Sequence, residues 1–74
     1  MNPGDMILVW SHSYPVGWVK GQDPHRYDVP TPVIFLSEFS ETGGDPRVFY
    51  NILTPGGVHH IYSGFCQEVG HEAG

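Results

Sequence analysis

Residues 47–69, RVFYNILTPGGVHHIYSGFCQEV, carry the pattern from which the fold of this chain is read. Two runs rich in β-branched and aromatic residues, VFYNILT at 48–54 and VHHIY at 58–62, flank Pro55-Gly56-Gly57. Proline presets φ and glycine accepts positive φ, so the three residues predict a turn and the two runs a β-hairpin. With Pro55 and Gly56 as the central turn residues, Leu53 faces Val58, Ile52 faces His59, Tyr50 faces Ile61 and Phe49 faces Tyr62. Alternation then places Val48, Tyr50, Ile52, His59 and Ile61 on one face and Phe49, Asn51, Leu53, Val58, His60 and Tyr62 on the other. The first set carries fewer polar atoms and is the expected core face. A Pro-Gly type II turn matches strand twist less well than the primed turns, which assigns Gly57 to a bulge. A slip of one residue would exchange the faces of one strand.

Downstream of the hairpin, Ser63-Gly64-Phe65-Cys66 reads as one tight turn of 3₁₀ type, Gln67-Glu68-Val69 as a short closing strand and residues 70–74 as a frayed tail. Upstream, SETGGDP at 40–46 is a polar turn into the hairpin, and VIFLSEF at 33–39 is a third strand. With Glu38 toward solvent, alternation sends Ile34 and Leu36 outward and Val33, Phe35 and Phe39 inward; the opposite parity would expose Val33 and Phe35. The segment GQDPHRYDVPTP at 21–32 holds three prolines without helical or strand periodicity and is expected to be a long loop. Before it, VGWVK at 16–20 is expected to be the second strand, with Val19 toward the core, Trp18 toward the surface and Gly17 at a bulge. SHSYP at 11–15 reads as a loop, and MILVW at 6–10 as a first strand covered on both faces after the turn NPGD at 2–5. No segment has helical periodicity, and there is no internal repeat or linker.

At 74 residues the chain has room for one domain and one core. Its single cysteine, Cys66, excludes an intramolecular disulfide framework and a four-cysteine metal site. The formal charge is −5, with only Lys20, Arg26 and Arg47 positive, so the phosphate-neutralising term that drives nucleic-acid binding is missing and no nucleic-acid partner is expected. No run approaches the ~18 apolar residues of a membrane span, and MNPGD lacks the basic and apolar regions of a signal peptide. A soluble, intracellular, cytoplasmic product without membrane contact is the expectation. Ten glycines and seven prolines among short apolar runs suit an all-β domain rich in turns.

Residues 4–9, GDMILV, resemble the opening strand of SH3-like barrels; VGWV at 16–19 is similar to their second strand, and IYSGFCQEV at 61–69 to their 3₁₀ turn and closing strand. The resemblance implies an all-β fold: a small five-stranded SH3-like barrel with a 3₁₀ turn before the last strand, in one domain over residues 1–74. Together with YNILTPGG at 50–57, these stretches also resemble small uncharacterised proteins of bacteriophages and marine viruses, which implies association with a virion as one setting. The likeness covers most of the chain except 21–32 and implies a fold far more than a function. In peptide-binding SH3 domains, aromatic residues on the long loop, acidic neighbours and a proline in the 3₁₀ turn grip polyproline ligands. Here Ser63 and Gly64 occupy that turn without the proline, and the adjacent tryptophans are absent, so no family binding residues are carried over.

Five histidines raise the question of a metal. His59 and His60 are strand neighbours and point to opposite faces, His12 and His25 fall in loops and His71 in the tail, so neither a metal nor another cofactor is expected. Ser11-His12-Ser13, and Cys66 with His59 or His60, supply nucleophile and base types without a nucleophile elbow or another motif that fixes their geometry. Cys66, between Phe65 and Val69, suits a small buried hydrophobe. The pairs Glu38 with Glu41 and Glu68 with Glu72 have no apolar pocket implied around them, and Gly43-Gly44 and Gly56-Gly57 precede no helix. The chain is therefore not expected to be an enzyme. Histidines titrate near ~6.5, so acidification would add up to five positive charges, bring the net charge toward zero and lower solubility.

Trp10, Tyr14, Trp18 and Tyr27 form the candidate binding set: aromatics on loops and barrel rims build cages or peptide grooves, and Asp23 and Asp28 would favour a cationic or basic ligand. The competing reading is that they shield a core too small to bury them. The function expected is a non-enzymatic protein-interaction or assembly module, acting on itself or on another protein. The alternative is a small-molecule, metal or peptide-binding barrel built on the rim aromatics and histidines. Self-association would use Ile34, Leu36 and Trp18, because a barrel has one interior and the outer face of 33–36 needs cover. The rival cover is the segment 21–32, with Tyr27 and Val29, folded back over that face.

Overall fold

In the computed structural model, which describes residues 1–40 and 46–69, Pro55 and Gly56 turn strand β3 (Val48–Thr54) directly into strand β4 (Gly57–Tyr62). The register is the expected one, from Phe49 opposite Tyr62 to Leu53 opposite Val58. Gly57, not Gly56, takes the positive φ, +115°, which excludes a type II turn centred on Pro55-Gly56, and Gly57 pairs with Thr54 with no break in the ladder. Thr54 fastens the turn: its hydroxyl donates to the Gly57 carbonyl at 2.8 Å and accepts from the Gly56 N–H at 3.1 Å. We number the other strands β1 (Met6–Pro15), β2 (His25–Ser40) and β5 (Cys66–Glu68).

All pairings are antiparallel. β2 pairs with β3 from Ile34–Leu53 to Ser40–Val48. β4 reaches the end of β1 through Tyr14–His60 and Pro15–His59, and β1 returns to β2 from Met6–Ile34 to Ser13–His25. The four strands thereby close on themselves. The 3₁₀ turn Ser63–Phe65 then lays β5 along the first half of β1, with Val9 opposite Cys66. The chain is an all-β, five-stranded barrel of SH3-like layout with a 3₁₀ turn before its last strand. Its interior is Ile7, Val9, Val33, Phe35, Ile52 and Ile61, with Tyr27, Tyr50, Phe65 and Cys66 packed against them. At about 1.5–3 kcal/mol for each large apolar side chain buried, this set is the main source of stability.

Of the six runs read as strands, VGWVK at 16–20 is not one. Pro15 ends β1, Gly17 reverses the chain at φ +87°, and the Trp18 N–H donates to the Pro15 carbonyl at 2.9 Å. Val19, expected in the core, is exposed, whereas Trp18 is half-buried. Residues 11–15 are strand rather than loop, continuing β1 past an irregularity. Val9 faces Thr31 and Ser11 faces Tyr27, so Asp28, Val29 and Pro30 stand opposite Trp10 alone, with Ser11 at φ +80°. The long loop expected at 21–32 is largely the first half of β2. Proline cannot donate to a ladder, but Pro30 lies in the irregularity and Pro32 faces Leu8, while the second edge of residues 25–33 is unpaired among the described residues. This segment is barrel wall, not a flap over Ile34 and Leu36.

A second bulge skips Leu36, so that Phe35 faces Ile52 but Ser37 faces Asn51. Parity reverses beyond it. Ile34 and Leu36 are half-buried on the outer side, while Phe39, expected inside, joins Phe49 on the outside and Glu38 faces Tyr50 instead. The tail expected at 70–74, with His71 and Glu72, and most of the polar turn at 40–46, with Glu41, lie outside the described residues.

Candidate interaction groove

The two departures from simple alternation build one site. Past its irregularity β1 presents Tyr14 outward, and the Gly17 turn folds Trp18 against it, the rings 4.8 Å apart and inclined at 66°. The indole N–H of Trp18 donates to the Gln22 carbonyl at 2.9 Å, which fixes the ring. Across the sheet, the Leu36 bulge brings Phe39 over Phe49, stacked at 5.7 Å, and against His60 at 5.0 Å. Because Tyr14 and His60 are registered partners, both ring pairs meet on the outer face of β1, β2, β3 and β4. Tyr14, Trp18, Phe39, Phe49 and His60, with Pro15 and Gly17, line an open hollow of about 470 Å³.

The aromatic surface continues beyond the hollow. Tyr14 and Phe49 also border a smaller one, about 270 Å³, with His12, Arg47, Tyr62 and Phe65. The Arg47 guanidinium carbon lies 5.7 Å from the centre of the Phe49 ring and 6.0 Å from that of Tyr62, within cation–π range. Tyr14 and His60, both half-buried, make no side-chain hydrogen bond among the described residues.

No protein-family model matches this chain, and comparison with curated proteins and with solved structures finds no match to it. The functional reading therefore rests on the groove and on the chemistry of the other polar groups.

Of the aromatics singled out in the sequence, Tyr14 and Trp18 come together in the groove. Trp10 sits half-buried at the β1 irregularity, and Tyr27 packs on the core with its hydroxyl turned to Ser13. Asp28 borders a different hollow, beside His25 and His59, so it does not acidify the groove. Phe39, Phe49 and His60, which also line the groove, are not among the binding residues that the sequence singles out. Phe49 and His60 fell on the outer hairpin face, where two bulky rings beside Tyr62 were the available signal; Phe39 was hidden by the bulge.

Among the described residues Ser13 and His59 are the buried polar side chains, and they are bonded to each other. The Ser13 hydroxyl lies 2.7 Å from Nδ1 of His59 and 3.0 Å from the Tyr27 hydroxyl, which ties β1, β4 and β2 together. A serine–histidine pair suggests a nucleophile, yet Ser13 is 0 % exposed and offers a substrate no approach. Burial, reinforced by His25 and then His60, holds the His59 pKa below the usual histidine value. His60 faces the groove while His59 faces inward, as strand alternation requires, and no group of three metal-binding side chains is assembled among the described residues. Nor is any helix among them long and apolar enough to cross a membrane.

Burial pushes the Cys66 thiol up to about 12, and its S–H points to the Tyr62 carbonyl at 3.7 Å. Since the thiolate is the reactive form, Cys66 is expected to react with a disulfide reagent at least tenfold more slowly in the native protein than in urea. A native rate equal to that of the unfolded chain would show the thiol to be open.

Proposed function

We propose that this protein is a non-enzymatic interaction module that docks a segment of a protein partner in the groove between Tyr14, Trp18, Phe39, Phe49 and His60. The observation that supports this reading is the convergence of four aromatic rings, from three strands and a turn, on one open hollow. Shielding of a small core would need no such convergence. Tyrosine and tryptophan dominate binding hot spots because they offer large contact area with few torsions to freeze. Trp18 is already fixed by Gln22, so docking would cost little ordering entropy. Its fluorescence reports directly on the hollow. Titration with basic or proline-rich peptides is expected to change it saturably, and Trp18→Ala or Phe49→Ala to weaken binding at least tenfold, measured by calorimetry. Binding unaffected by either substitution would remove the groove from the account.

A second reading, assembly with a copy of itself, is favoured by a row of apolar side chains across four strands. Met6 faces Ile34, Ile34 faces Leu53 and Leu53 faces Val58, all on the outer side, with Met6 51 %, Leu53 45 % and Val58 40 % exposed. Ile34 and the adjacent Leu36, expected with Trp18 to self-associate, lie on this side of the barrel, and Trp18 lines the groove. A stable interface covers about 800 Å² on each partner, well beyond what three half-covered side chains expose. Sedimentation equilibrium is expected to show an 8.2 kDa monomer at micromolar concentration, with weak association at higher concentration that Leu53→Glu abolishes. A tight dimer at micromolar concentration would show that a larger surface is used.

A further inference from the structure

We infer that the groove selects a guanidinium: an arginine side chain of the partner seats in the hollow between the Tyr14–Trp18 pair and the Phe39–Phe49 pair. The inference rests on the groove reading and adds the chemistry of the ligand. Its first support lies within the chain. Arg47 already lays its guanidinium over Phe49 and Tyr62, so the same aromatic surface holds a guanidinium in the neighbouring hollow. The larger hollow shares Tyr14 and Phe49 with that one and adds Trp18 and Phe39, and neither lysine nor arginine is among the residues that line it. Ring quadrupoles attract a cation to aromatic faces, and guanidinium, planar and weakly hydrated, suits them better than an ammonium group does.

Charge supports the same occupant. The chain carries −5 with three cationic side chains, so its long-range field attracts a basic segment and speeds encounter. Arg47 opposes this locally. At a separation on the order of 10 Å in water, that repulsion weakens binding by about twofold, less after screening by salt. A desolvated cation–π contact strengthens it by up to about 30-fold, so attraction prevails. An anionic segment would meet the opposite balance, repelled by the net charge and by the negative ring faces.

The test is calorimetric titration of the whole chain with two short peptides that differ only in arginine against citrulline. Citrulline keeps the planar shape and removes the charge. The arginine peptide is expected to bind between about fivefold and 30-fold more tightly, and Trp18→Leu, which keeps an apolar side chain in a turn outside the core, should reduce that preference to within about twofold. Tyr14→Leu serves as an independent second variant, and circular dichroism checks that each is folded. Equal affinity for the two peptides would overturn the guanidinium inference and leave the groove standing. Failure of both peptides to bind the wild-type chain would overturn the inference and the groove reading together. A preference for arginine that both variants retain would place the cation elsewhere and overturn the assignment to this hollow.

Discussion

Ile52→Ala is expected to lower stability by about 2–5 kcal/mol and to leave the chain largely unfolded at 37 °C. Ile52 is 0 % exposed and lies in the middle strand of three, with Phe35 opposite it on one side and His59 on the other. Truncation removes the transfer free energy of the lost methylenes and adds the cost of a cavity that two rigid neighbouring strands cannot collapse to fill. In a domain of this size, one core holds nearly all the stability available. Leu53→Ala, next along the strand and facing outward, serves as the control and is expected to cost under about 1 kcal/mol. Urea unfolding followed by tryptophan fluorescence separates the two, and similar losses for both variants would mean the faces of β3 are misassigned.

The buried Ser13–His59 pair makes the barrel sensitive to acid. His59 has a lowered pKa when folded because burial, and secondarily His25 and His60, oppose its positive charge. The unfolded chain therefore binds the proton first as pH falls. The stabilisation is fully present above the ordinary histidine pKa of about 6.5 and is lost progressively below it, until the folded pKa is passed. Unfolding midpoints in urea should thus fall between pH 7.5 and pH 5, and His59→Phe, which cannot titrate, should flatten the part of the curve that His59 supplies. A variant curve parallel to the wild type would clear His59 of this role. Ser13→Ala tests the geometry separately: it strands Nδ1 of His59 in the interior and is expected to cost about 1–3 kcal/mol. For the same reason, His59 takes up its proton at a lower pH than an ordinary histidine, so the charge gained on acidification lags behind what a count of histidines implies.

The hairpin was legible because Pro55-Gly56-Gly57 fixes a turn and the flanking residues alternate without interruption, which sets register and faces together. The same logic failed where a strand carried an irregularity. Prolines at 30 and 32 made residues 25–32 look like loop, although an unpaired edge and a break opposite Trp10 accommodate both. One unpaired residue, Leu36, moved Phe39 from the expected interior to the groove, a change that composition cannot show. The turn at 16–20 reads as a strand because Val16, Trp18 and Val19 make a short apolar run, whereas the positive φ of Gly17 is a property of the folded backbone. Tyr14 and Trp18 were legible as candidates by type alone. Their partners Phe39, Phe49 and His60 required the register of three strands.

The claim that the aromatic groove is the docking surface is tested most directly by proton–nitrogen correlation spectra recorded while an arginine- and proline-containing peptide is added. Shifts are expected at the Trp18 indole N–H and at the backbone of Tyr14, Phe39, Phe49 and His60, with Met6, Leu53 and Val58 unmoved. Shifts confined to Met6, Ile34, Leu53 and Val58, with the Trp18 indole signal unchanged, would contradict it.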